Sequence, residues 1–181
     1  MTIYDIFEHD NFFYYGEPLH IVSIFDDTHY DRSDIDILNS AQREFLLKQL
    51  KKYDYSWKSG RVLHSSSCAV LFTFPKMSVL GASPLDALKY EKSSDKNIVV
   101  LTPTQFCAHC IKNLDEDKGL VVIKELIEKH PVNLLKLRDH LSYTDLHEKY
   151  QRMLPELMSH QKEAVSSGKL KHKRHIGQMV S

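Results

Sequence analysis

Apolar positions along the chain follow two different spacings. In Leu19–Phe25 the residues Ile21, Val22 and Ile24 sit almost side by side, and the same density returns at Cys68–Phe74 and Asn97–Leu101. Short β-branched or aromatic runs, each closed by Asp, Pro or Thr-Pro, read as strands buried on both faces, the pattern of a parallel sheet. Elsewhere the apolar residues recur at intervals of three to five. Leu38, Ala41, Phe45, Leu46, Leu50 and Tyr53 share one face of a helix over about 34–53. Ser33 or Asn39 caps its start, and Lys48, Lys51 and Lys52 favour the negative end of its dipole. A short helix over about 84–90 has Ser83 as its cap and Pro84 in first position. Thr104 is the expected cap of a helix reaching Leu114.

After Leu114 the spacing stays helical. Leu120, Ile123 and Ile127 mark a helix over 115–129, which His130-Pro131 interrupts. Pro131 starts the next helix, with Leu134, Leu137 and Leu141 on one face. A last helix, about 143–165, carries Leu146, Tyr150, Met153, Leu157, His160 and Ala164 as a packing seam, with Pro155 expected to kink or split it. The start, Met1–Pro18, is aromatic and acidic, and serves either as a flap over the core or as an edge strand at Phe12–Tyr15. Asp54–Gly60, with Trp57, reads as a connection, and Arg61–His64 as a short strand. Strands alternating with helices predict right-handed crossovers. The expected fold is a three-layer α/β domain with a small mainly parallel sheet and a helical C-terminal third, residues 1–165 forming one domain and 166–181 a basic tail.

Composition narrows the class. A chain of 181 residues, 42% hydrophobic and 27% charged, can bury one sizeable core. Basic and acidic residues total 24 each, so no global field points to nucleic acid. The tail holds Lys169, Lys171, Lys173 and Arg174 and no acid, +4, which leaves −4 for the rest (20 basic against 24 acidic). No segment approaches the roughly 18 apolar residues of a membrane span. The start carries Asp5, Glu8 and Asp10 where a signal peptide would be basic. A cytoplasmic, soluble protein without a membrane partner is expected. Three cysteines are too few for a disulfide scaffold.

The most specific chemical signal is Cys107-Ala-His-Cys110, in a helix that follows a buried strand. Cysteines near the positive end of a helix dipole have lowered pKa values and favour thiolate chemistry. Val100–Lys112 resembles the active-site segment of thioredoxin-fold oxidoreductases, although Ala108 stands where that family carries proline or glycine. The resemblance implies Cys107 as nucleophile and Cys110 as resolving thiol. Phe106, Cys107, Cys110, Ile111 and Leu114 also make one apolar helix face, and packing of the cysteines in the core ranks first. A structural zinc site would need two more ligands, such as His109, His130 or His140, so no metal set is complete.

Asp26-Asp27, with Thr28 and His29, ends the first strand, where carboxylates hold Mg²⁺ or act as acid and base; solvating a loop and complementing the next helix is the simpler role. Gly81–Pro84 lacks the lysine of a phosphate-binding loop and reads as a capped turn. His140, His147 and His160 fall at helical spacings on a surface or seam. The basic tail lacks interleaved aromatics, so nucleic-acid binding is not expected from it. In parallel sheets ligands bind outside the C-terminal ends of the strands. The leading expectation is therefore a ligand-binding or protein-interaction module, with a small molecule at those ends and a homodimer through the last helix as its candidate partners. A thiol–disulfide oxidoreductase using Cys107 and Cys110, and a metal-dependent hydrolase or transferase using Asp26 and Asp27, are the alternatives. No cofactor is specified by the residues.

Overall fold

The computed structural model describes residues 2–24, 38, 40–75, 96–130 and 132–168. Asp26 and Asp27, the first turns of the 34–53 helix with both its candidate caps, the Gly81–Pro84 turn, the 84–90 helix, Pro131 and residues 169–181 of the basic tail lie outside the described residues. The described elements run β1 (Phe12–Tyr15), β2 (Ile21–Ile24), α1 (Ser40–Leu50), β3 (Tyr55–Ser59), β4 (Val62–Ser65), β5 (Leu71–Thr73), β6 (Asn97–Leu101), α2 (Pro103–Asn113), α3 (Glu116–Lys129), α4 (Leu134–Leu141) and α5 (His147–Ser166). Short 3-10 helices at Ile3–Glu8 and Lys51–Tyr53 flank the first strands and close α1. Among the described residues no helix is long and apolar enough to cross a membrane.

The six strands form one sheet in the order β1-β2-β6-β5-β4-β3. The three expected strands lie together at its centre, and β6 pairs in parallel with β2 on one side and β5 on the other. The remaining pairings are antiparallel, so the sheet is mixed and the expectation of a mainly parallel one is corrected. Connection length is the reason. Residues 16–20, 60–61 and 66–70 are too short for a crossover, which takes about a dozen residues, so β1, β3 and β4 can only fold back as hairpins. Phe12–Tyr15 is thus the edge strand of the two roles foreseen for it. Tyr55–Ser59, read as a connection, is the opposite edge strand. Only Tyr55 in it is buried, so no apolar pattern announced it.

Alternation along the strands builds two cores. Phe13, Ile21, Val99 and Leu101 point to one face and meet α2, α3, α4 and α5. Phe12, Val22, Ile24, Leu63, Phe72, Ile98 and Val100 point to the other and meet the Ile3–Glu8 turn and α1 through Phe7, Leu46 and Leu50. Helices therefore cover both faces, giving the three layers of an α/β fold. Next to the sheet lies α2, buried at every residue from Pro103 to Ile111.

Three helix expectations shift. Asn133 caps α4 by accepting from the Lys136 amide at 3.0 Å, so that helix starts three residues after Pro131. α5 is one continuous helix with Pro155 inside it. Pro155 lies on the exposed side, where the carbonyl left without its donor can face water. The α5 seam, with Tyr150, Met153, Leu157 and Ala164 buried, packs into the core of its own chain. It is therefore not open to a second copy, which removes the basis for a homodimer there.

Candidate functional site

β2 and β6 run side by side in the same direction, with Ile21 opposite Val99, Val22 opposite Val100 and Ser23 opposite Leu101. The next described helix after β2, α1, packs on one face of the sheet, and the helix after β6, α2, packs on the other. Where neighbouring parallel strands lead to opposite faces, their carboxyl ends leave a crevice between the departing chains. In this sheet those carboxyl ends are Ser23–Ile24 and Leu101–Thr102.

The α2 wall is built by a local code. Thr102 is the N-cap and Pro103 the first helical residue, where its missing N–H costs nothing. The Gln105 amide donates to Thr102 Oγ1 at 3.2 Å, and the Thr102 amide donates to Gln105 Oε1 at 3.1 Å. This reciprocal capping box fixes the angle at which β6 enters the helix. Thr104, expected as the cap, is instead the second helical residue. On the other face Gln42, the third residue of α1, donates through Nε2 to the Ile24 carbonyl at 3.3 Å. That bond ties α1 to the carboxyl end of β2.

Two polar atoms in this region have no hydrogen-bond partner among the described residues. Ser23 shares the face of Ile21, toward α2, and is fully buried with no hydrogen bond at Oγ. Thr104 is also fully buried, with no hydrogen bond at Oγ1. Ser23 had not been singled out from the sequence, and Thr104 only as a helix cap. The signals were present: one serine in an otherwise apolar strand, and the Thr-Pro-Thr-Gln run that writes a capping box with proline in first position.

The cysteines lie deeper along α2. Cys107 and Cys110 are free, fully buried and packed with Phe106, Ile111 and Leu114. Burial pushes both thiols well above their ordinary range. Cys107 is also the fifth residue of the helix, beyond the first turn where the dipole acts strongly. These surroundings oppose the thiolate that disulfide exchange requires, and the oxidoreductase reading gains no support from them. Between the two, His109 is nearly buried, and its Nδ1 accepts from Asn113 Nδ2 at 3.1 Å. Among the described residues no group of three or more His, Cys, Asp or Glu side chains is placed to hold a metal ion. Of the helical histidines, His160 Nε2 stands 3.6 Å from Glu128 Oε1, joining α5 to α3.

No protein-family model, curated protein or solved structure matches the chain. The class that the fold defines is an α/β protein with a mixed six-stranded sheet and helices on both faces.

Proposed function

We propose that this protein is a binding module whose small-molecule ligand seats in the crevice at the carboxyl ends of β2 and β6. One observation carries the reading: among the described residues the hydroxyls of Ser23, near the end of β2, and Thr104, in the first turn of α2, are buried without partners. A buried hydroxyl left unpaired costs about 1–3 kcal/mol, and alanine or valine would fill either position without that cost. A bound ligand would supply the partner that the described residues do not. The crevice itself is where open α/β sheets bind ligands. An internal water is the other occupant that fits such groups, and the experiment separates the two.

The test is a fragment screen read by amide chemical shifts on the full chain. Binding fragments should move the resonances of residues 21–24 and 101–105 first, and Ser23→Ala should weaken those fragments. Fragments that bind only elsewhere, or a screen in which no binder touches these residues, would overturn the proposal.

A further inference from the structure

We infer that the tip of the β3–β4 hairpin, with the first turn of α1 beside it, is a binding surface for single-stranded nucleic acid. Charge is the first reason. Basic and acidic residues balance over the whole chain, but the sum hides a local excess. Residues 40–75 hold Arg43, Lys48, Lys51, Lys52, Lys58 and Arg61 against Glu44 and Asp54, six basic to two acidic, +4. The fold gathers three of these cations. Arg43 Nη1 donates to the Gly60 carbonyl at 3.2 Å, and Gly60 lies in the hairpin turn between Lys58 and Arg61, both exposed. The Arg43 guanidinium carries five N–H donors, and this bond uses one of them. The rest of the fork is shaped for a phosphate.

The second reason is an aromatic face set among those cations. Phe74 is fully buried, and its ring centroid lies 5.0 Å from Arg43 Cζ and 5.2 Å from the centroid of the Trp57 ring. One buried ring thus holds a cation and a tryptophan that is open to solvent as neighbours. An unpaired base can stack on the indole while the phosphates beside it meet Arg43, Lys58 and Arg61, the combination that holds single strands without regard to sequence. A duplex keeps its base faces stacked inside and offers the indole nothing. An extended acidic peptide would meet the same cations, but it would bind by pairing with the β3 edge. The β3–β4 register shifts between Trp57 and Ser59, so that Lys58 sits at an irregularity of the edge strand. A bulge and a lysine at an edge both hinder the addition of a further strand.

Trp57 is the only tryptophan in the chain, so its fluorescence reports on this surface alone. The test titrates the full chain with an oligothymidylate of about twelve nucleotides and, separately, with the same strand in a duplex, with thymidine monophosphate and with a polyglutamate peptide. Saturable quenching by the single strand, at lower concentration than any effect of the other three, is the expected result. Its affinity should fall as salt rises, with a log–log slope of about −2 for three phosphate contacts. Lys58→Gln should weaken binding about fivefold at about 0.1 M salt and reduce that slope by about 0.7. Arg61→Gln should do the same, and an unchanged melting temperature in either variant separates a lost contact from a folding defect. Absence of quenching by the single strand overturns the inference. So does equal binding of the duplex, the mononucleotide or the peptide, or wild-type affinity and salt slope in both variants.

Discussion

Ser23 shows how much a single side chain can say. It stands between Val22 and Ile24, both fully buried, and a residue-by-residue reading of that strand records only its apolar neighbours. The hydroxyl becomes informative once the register places it opposite Leu101 and on the side of α2. The cysteines make the opposite point. Their spacing and helical position were legible, and so was the apolar face they share with Phe106 and Ile111. Which of these features governs them depends on depth, and sequence spacing carries no depth. Depth has a consequence that depends on pH. Both thiols are neutral when folded, with pKa values raised by burial above the ordinary 9.0. The unfolded chain ionises near the ordinary value, so their contribution is fully present below that pH and is lost as pH rises above it. The loss is up to about 1.4 kcal/mol per unit for each thiol. Urea unfolding between pH 8 and 10 should show this decline, and Cys107→Ala should flatten it. In the same range iodoacetamide should label Cys68, which is half-buried, ahead of Cys107 and Cys110. Rapid labelling of Cys107 at pH 7 would mean that the thiol is not in the core.

At the scale of elements, the helices that carry a strong apolar stripe were legible to within a few residues. α3 starts where Asp115 accepts the Lys118 amide at 2.9 Å, and the cap of α2 lies two residues before the expected one. β3 was invisible because an edge strand with one buried residue has almost no apolar period to read. Its Trp57, 38% exposed, rests against Phe74 with ring centroids 5.2 Å apart, a contact that exists only once β3 and β4 have paired. Of the two outcomes expected from Pro155, a kink or a split, the split does not occur. Proline weakens an isolated helix by about 3 kcal/mol, but α5 is held by its whole buried seam. Arg152 Nη2 to Glu116 Oε2 at 2.8 Å and the Lys124–Glu156 pair add ties to α3, each of small value at an exposed surface. Since tertiary packing overrides the proline, replacing it should release the local cost. Pro155→Ala should raise unfolding free energy by roughly 1–2 kcal/mol, the helix gain being partly offset by the greater freedom of the unfolded chain. A lower denaturation midpoint in that variant would show that the proline ring makes a contact of its own.

For the whole molecule, the central trio of parallel strands and the helical final third were readable, because buried strands and amphipathic helices write their burial into the sequence. The mixed character of the sheet came from chain geometry: three short connections turn their strands back, whatever the side chains are. The proposed crevice is likewise a property of the assembled fold. It rests on β2 and β6 being neighbours although more than seventy residues separate them, and on α1 and α2 packing on opposite faces. The binding reading treats the two hydroxyls there as groups that the folded chain itself does not satisfy. The unfolding free energy of the ligand-free Ser23→Ala, Thr104→Val double variant tests this most directly. Removing two unpaired buried hydroxyls at little change in volume should leave stability unchanged or raise it by about 1–3 kcal/mol. A loss of stability of similar size would show that the hydroxyls are bonded within the fold, to each other or to a structural water, and would contradict a crevice waiting for a ligand.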